Sequence, residues 1–199
     1  MQFATLALTA ASAATGAMAA PAANPNPDLV TFGVISIASG SKVQNAGWGA
    51  MHKGIFTGAK PQEGASCYGP EQDYATFVLN KADGTLDLRT DGKPWQQLFV
   101  DRSGMGQGIM QYTTGAEPAS RNAERAGWAI DDASQHLTFG GSDAFLACPN
   151  GLPGTADAET FRVLPYVGIN SPAGYTNCTS IAARVVVATN PVDCLYSQQ

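Results

Sequence analysis

Apolar side chains recur at every second position in short runs along this chain, and no segment sustains a helical period. The runs are Thr31–Ile37, Tyr74–Leu79, Thr85–Leu88, Gly108–Tyr112, Phe161–Leu164 and Ile181–Val187, rich in Phe, Tyr, Ile and Val. A period of two places alternate side chains on one face, the signature of half-buried strands. Turn signals separate the runs, notably Ser39-Gly40-Ser41, Asp83-Gly84 and Asp91-Gly92. The stretch Leu79–Leu86, centred on Asp83-Gly84, predicts a β-hairpin. The pattern therefore predicts an all-β protein.

The apolar positions also repeat. Phe77-x-Leu79 followed by Leu86-x-Leu88 aligns without gaps on Trp128-x-Ile130 followed by Leu137-x-Phe139, at an offset of 51 residues. Phe32-x-Val34 begins a shorter third copy, and Ile55-Phe56, Leu98-Phe99 and Phe145 follow the three copies in turn. Ile109-x-x-Tyr112 and Val163-x-x-Tyr166 match at an offset of 54. Three such units predict a closed barrel of β-trefoil type in a single compact domain. A two-sheet β-sandwich is the alternative that the same strand pattern allows.

The chain opens with a different composition. Residues 1–19 carry no charged side chain, hold the apolar run Leu6–Ala11, and end in Ala17-Met18-Ala19, which fits the small-x-small rule for signal peptidase. They read as a signal peptide. Residues 20–29 form a Pro-, Ala- and Asn-rich linker in which Pro21, Pro25 and Pro27 prevent a helix from continuing. Residues 30–199 are then the β domain. No later stretch approaches the roughly 18 apolar residues of a membrane span. The C-terminal Cys194–Gln199 has no hydrophobic tail for a lipid anchor, so no membrane anchor is expected.

Charge removes further partners. The formal net charge is −5 and there is no basic cluster, which excludes nucleic acid and anionic membranes as expected partners. Only 14% of residues are charged, and 22 are glycine, as suits a loop-rich β protein. Cys67, Cys148, Cys178 and Cys194 make an even count in an exported chain, hence two disulfides with three possible pairings. Cys67–Cys148, tying two β units, and Cys178–Cys194, stapling the C-terminal segment, are the expected pairs. There is no close CxxC spacing, and His52 and His136 stand alone, so neither a zinc site nor any other metal or cofactor is expected.

Catalytic signatures are equally scarce. No Gly-x-Ser-x-Gly elbow occurs. The loop Asp101–Gly108 is Gly-rich but lacks the Gly-Lys-Ser/Thr of a phosphate loop, so Gly104, Gly106 and Gly108 are expected to serve a tight turn. Asp131-Asp132 are adjacent, which on a strand sends them to opposite faces. Trp128 occupies the Phe77 position of the repeat and belongs to the core. Trp48 and Trp95 flank Gly or Pro in loops and are the candidate ligand-binding residues, since an exposed indole can stack on a sugar ring. Asn177-Cys178-Thr179 is a sequon, making Asn177 a candidate N-glycan acceptor.

These residues also carry a family likeness. Met1–Ala13, Thr31–Ser41, Leu98–Gly108 with Tyr112-Thr-Thr-Gly115, and Phe145-Leu-Ala-Cys-Pro149 resemble the phiA-type secreted cell-wall proteins of filamentous fungi. Trp128-x-Ile130, Leu137, Asp143-x-Phe145-x-x-Cys148 and Val192-Asp-Cys194 bear a weaker resemblance to the C-terminal four-cysteine domain of Pir wall proteins. The chain lacks the Gln-rich repeats by which Pir proteins are esterified to glucan. The first resemblance implies a non-enzymatic, secreted cell-wall glycoprotein involved in conidium and phialide development and stress protection, with IgE-binding antigenicity in relatives. Its expected partners are cell-wall polysaccharide or wall proteins, held noncovalently or by disulfides. A carbohydrate-binding, lectin-like module is the alternative.

Overall fold

In a computed structural model, residues 26–70, 72–90, 92, 94–151 and 159–198 are described. The expected signal peptide and residues 20–25 of the linker lie outside them, as does Asp91 of one expected turn. Among the described residues there is no α-helix. Fifteen strands run in order: β1 (Leu29–Ile37), β2 (Trp48–Met51), β3 (Gly54–Gly58), β4 (Ser66–Tyr68), β5 (Phe77–Asn80), β6 (Thr85–Leu88), β7 (Gln96–Asp101), β8 (Ile109–Thr114), β9 (Ala123–Glu124), β10 (Trp128–Ile130), β11 (Leu137–Phe139), β12 (Ala144–Pro149), β13 (Thr160–Pro165), β14 (Thr179–Val187) and β15 (Asp193–Leu195). The hairpin expected at Asp83-Gly84 is β5–β6, with Phe77 opposite Leu88 and Leu79 opposite Leu86.

Nine strands close into an antiparallel barrel in the order β13-β12-β14-β1-β5-β6-β7-β8-β3, with β3 returning to β13. Closure removes the free sheet edges on which strands of other chains could pair. The thinnest junction lies between β3 and β8, where the register is a single pair, Gly54 with Gln111. The 51-residue offset relates two real hairpins in unlike places. The β5–β6 pair is part of the barrel wall, whereas β10–β11 forms a separate two-stranded sheet outside it.

Large side chains fill the barrel. Phe32, Val34, Phe77, Leu79, Leu86, Leu98, Val100, Met110, Phe145 and Val163 form one continuous core. The alternation is clearest in β5 and β6, where every second residue is buried. Strand β12 is buried on both faces because Leu146 and Cys148 pack outward with Leu164 into a second small core beneath Tyr175 and Cys178. Three phenylalanine rings are roofed by arginines: Arg102 over Phe139, Arg125 over Phe99 and Arg162 over Phe56, at 5.4, 5.9 and 5.5 Å from the ring centroids.

The disulfides correct the expected pairing. Cys67 bonds Cys194, and Cys148 bonds Cys178. Strand adjacency decides this. Cys67 in β4 lies directly opposite Cys194 in β15. Cys178 immediately precedes Thr179 of β14, which lies opposite Ala147 of β12. No sequence spacing encodes that register.

The first disulfide anchors a C-terminal strap across the end of the barrel that includes the weak junction. The Gln96 carboxamide donates to the Tyr196 carbonyl at 3.0 Å and accepts from the Tyr196 amide at 2.8 Å. Tyr196 is 2% exposed, and its hydroxyl accepts from the Thr76 amide at 3.2 Å. The Cys194 amide donates to the Arg89 carbonyl, and Arg89 pairs with Asp193 at 2.8 Å. Tyr112 of β8 donates its hydroxyl to the Ser197 carbonyl, and the Lys53 amide, next to β3, donates to the same carbonyl. The strap thus bonds both strands of the junction that closes by a single pair.

Burial pushes the Tyr196 phenol up to about 12 and raises Tyr112 as well. A phenol whose folded pKa lies above its ordinary value favours the neutral form in the fold. That stabilisation is complete below about pH 10, the ordinary tyrosine value, and is lost as pH rises toward 12. Denaturant midpoints should therefore fall across this window. Tyr196→Phe should make the fall shallower, and an unchanged slope would contradict the assignment. The disulfide separations of 127 and 30 residues correspond, by chain entropy, to roughly 5 and 4 kcal/mol of stability. Cys194→Ser should accordingly destabilise more than Cys178→Ser in urea titrations.

Candidate functional site

The structure separates the two candidate tryptophans. Trp48 of β2 is 1% exposed, so its expected place in an exposed ligand site is corrected. Its ring meets Phe145 edge-on at 5.3 Å between centroids, and its Nε1 donates to Ser36 Oγ at 2.9 Å. Ser36 Oγ in turn bonds Thr57 Oγ1 at 3.1 Å. This buried polar chain satisfies the indole N–H, which is how a tryptophan becomes a core residue. β2 pairs with β3 over four residues, Trp48 to Met51, and that register carries the ring inward. The neighbouring glycine allows it, because a Cβ on Gly49 would lie 2.4 Å from the Pro61 carbonyl oxygen.

Trp95 stands apart and is 47% exposed. It precedes β7, next to the buried Gln96, and its carbonyl accepts from the Gly115 amide at 2.7 Å. No face is shared with Trp48.

The other candidates resolve individually. Asp131 Oδ1 accepts from the Ser134 amide and hydroxyl, both at 2.7 Å, and these bonds hold its carboxyl below the usual range. It shapes the β10–β11 turn rather than pairing with Asp132. His136 Nδ1 lies 3.0 Å from Asp143 Oδ2. His52 takes a left-handed backbone (φ 47°) in the turn between β2 and β3, and its amide donates to Ser197 Oγ of the strap. In the Gly-rich loop, Gly108 is left-handed (φ 90°) and a Cβ on Gly106 would strike the Asp101 carboxyl at 2.2 Å. Two of its three glycines thus answer a backbone requirement. Asn177 is exposed, left-handed (φ 56°), and one residue from the Cys148–Cys178 bond.

The structure also assembles a site that no sequence motif marks. An open groove of about 660 Å³ lies among the loops following β7 and β13, the turn before β9 and the β11–β12 loop. Arg102, Asn122, Glu124 and Ser142 line it, with Tyr166 and Val167 at its edge. The Arg102 Nε donates to Glu124 Oε1 at 2.9 Å and Oε2 at 3.1 Å, and this contact raises the Arg102 pKa further. The guanidinium also lies over Phe139, so two contacts fix it in place. Gly140 makes the room, since a Cβ there would approach Arg102 Nη1 to 3.2 Å. Tyr166 was visible only as the counterpart of Tyr112 in a repeat. The two differ in structure: Tyr112 is 1% exposed and Tyr166 is 38% exposed.

A model of the PhiA-like secreted protein family matches residues 32–197, which extend from β1 through the strap. "Cell wall protein phiA" of Aspergillus fumigatus is 45% identical over 198 residues, covering 100% of both chains. The protein of the same name from Aspergillus niger is 47% identical over 91% of this chain and 95% of its own, and that of Emericella nidulans is 41% identical over 94% and 96%. No solved structure matches the chain.

Burial predicts opposite outcomes at the two tryptophans. Trp48→Ala should cost about 3–5 kcal/mol in denaturant unfolding, as truncation of a buried aromatic does. Trp95→Ala should stay within about 0.5 kcal/mol. Equal losses would contradict this placement.

Proposed function

The chain belongs to the PhiA-like secreted protein family, and from that premise we propose that it is a non-enzymatic wall glycoprotein serving conidium and phialide development and stress protection. Secretion and the cell wall come with the family and with the name its relatives carry. Residues 1–19 act as the signal peptide, residues 20–29 as a linker, and residues 30–199 as the working domain. Asn177, exposed in its turn, carries the N-glycan.

The observation that carries the non-enzymatic reading is the filled interior. Trp48, Phe32, Phe77, Phe145 and Tyr112 are among the largest fully buried side chains and belong to the one core. A small closed barrel either holds a ligand at its centre or fills that space with side chains, and here aromatic rings fill it. What remains for function is the outer surface of a stapled, closed-barrel scaffold. Such a scaffold suits persistence in an extracellular matrix.

All four cysteines are paired within the chain. A disulfide to a wall partner would require one of these bonds to open, so retention in the wall is noncovalent. One observation favours a second, carbohydrate-binding reading: the open polar groove beside Tyr166.

Two measurements test this. Detergent without reductant should release the protein from isolated walls, with part of it already in the medium; release by reductant alone, or by neither, would contradict noncovalent retention. A strain lacking the gene should show defective phialides and conidia and lower stress survival. Complementation with a His52→Ala variant should restore both fully, and failure of a folded, secreted variant to do so would point to catalysis.

A further inference from the structure

A second groove, of about 450 Å³, adjoins the first, and Tyr166 lines both. Tyr166, 38% exposed, therefore sits where two open troughs meet. Asp143, Asn170 and Ser180 supply polar groups to the second trough, and Arg102, Asn122 and Glu124 to the first. Each trough alone falls within the range of about 300–1,000 Å³ typical of ligand sites. Together they make one larger depression open to solvent.

We propose that this trough binds a segment of neutral polysaccharide several sugar units long, with the Tyr166 ring as its stacking platform. The inference rests on the reading of the chain as a wall protein and names the wall component its surface would grip. Three features point to this ligand. The first is chemistry: an aromatic face with amides, hydroxyls and carboxylates around it offers what a sugar presents, apolar C–H faces edged by hydroxyls that both donate and accept. The second is order. Arg102 is fixed by Glu124 and Phe139, and Asp143 by His136, so ligand binding need not immobilise those side chains. The third is charge. Arg102 is matched by Glu124 within the first trough, and the protein as a whole carries a net −5. An anionic polymer gains nothing from such a surface, whereas a neutral one is indifferent to it. Two adjoining open troughs suit a chain lying across both rather than a single ring held in one.

The test is co-sedimentation of the full secreted protein with insoluble β-1,3-glucan and with chitin, alongside attachment to isolated walls. Wild type should sediment with at least one polymer. Tyr166→Ala should weaken that binding by about tenfold or more, as loss of a stacking platform does. An Asn122→Ala/Asn170→Ala double variant should also weaken it, and carries the test should Tyr166→Ala alter the melting profile. Trp95→Ala, an exposed aromatic outside the trough, should bind as wild type. A soluble oligomer of the bound polymer should compete where the monosaccharide does not, and about 0.5 M salt should change little because no charge pairing is involved. The proposal is overturned if both trough variants bind as wild type, if Trp95→Ala loses binding equally, or if salt abolishes binding. Attachment to walls without binding to either polymer removes the trough assignment and leaves the wall reading standing. Failure to attach to walls removes both.

Discussion

The double hydrogen bond between the Gln96 carboxamide and the backbone of Tyr196 is the contact on which the closed form of this protein depends. A side-chain amide offers the same donor and acceptor pair as a peptide, so Gln96 holds the C-terminal segment as a neighbouring strand would. It is completely buried at the start of β7. Losing either partner would strand the other away from water, at a cost of roughly 1–3 kcal/mol. Around it the Cys67–Cys194 bond, the Arg89–Asp193 pair and the Tyr112 hydroxyl bring together elements far apart in sequence. The clamp spans the β3–β8 junction of the nine-stranded ring, where the register is a single residue pair.

A barrel held this way gives its interior to packing and its exterior to function. The interior is occupied by rings and by the Trp48–Ser36–Thr57 hydrogen-bonded chain, a buried polar network with every member of the chain bonded. Three of the chain's arginines lie over phenylalanine rings and cover them. The groove around Tyr166 fits the same economy. It is built from loops at one region of a rigid wall, and its charged groups are matched to one another.

Much of this was legible from local pattern. Alternation placed β1, β5, β6 and β14, and Asp83-Gly84 placed a hairpin turn, because strand period and turn chemistry act over a few residues. The likeness of Thr31–Ser41 and Phe145–Pro149 to the phiA-type proteins anticipated the family. Barrel closure was anticipated, and the 51-residue offset found two true hairpins, but it could not tell that one lies in the wall and the other outside. Partners across long separations were hidden. The pairing of Cys67 with Cys194 follows from β4–β15 register, which depends on where the strap docks. Trp48 looked like a loop residue beside glycines. Its burial requires Ser36 and Thr57 on other strands and a Gly49 that lets the backbone close in. Tyr166 matched Tyr112 in spacing, yet one sits where two open troughs meet and the other inside the barrel, a difference made by the loops around them.

Native-state amide hydrogen exchange tests the clamp most directly. If the strap is part of the cooperative barrel, the amides of Cys194 and Tyr196, bonded to Arg89 and Gln96, should exchange only through global unfolding. Their protection should equal that of Leu79 and Leu86 in the β5–β6 hairpin and should fall in step with theirs in low denaturant. Exchange of Cys194 and Tyr196 by a separate opening of lower free energy, with β5 and β6 still protected, would show that the barrel closes without the strap and would contradict the account.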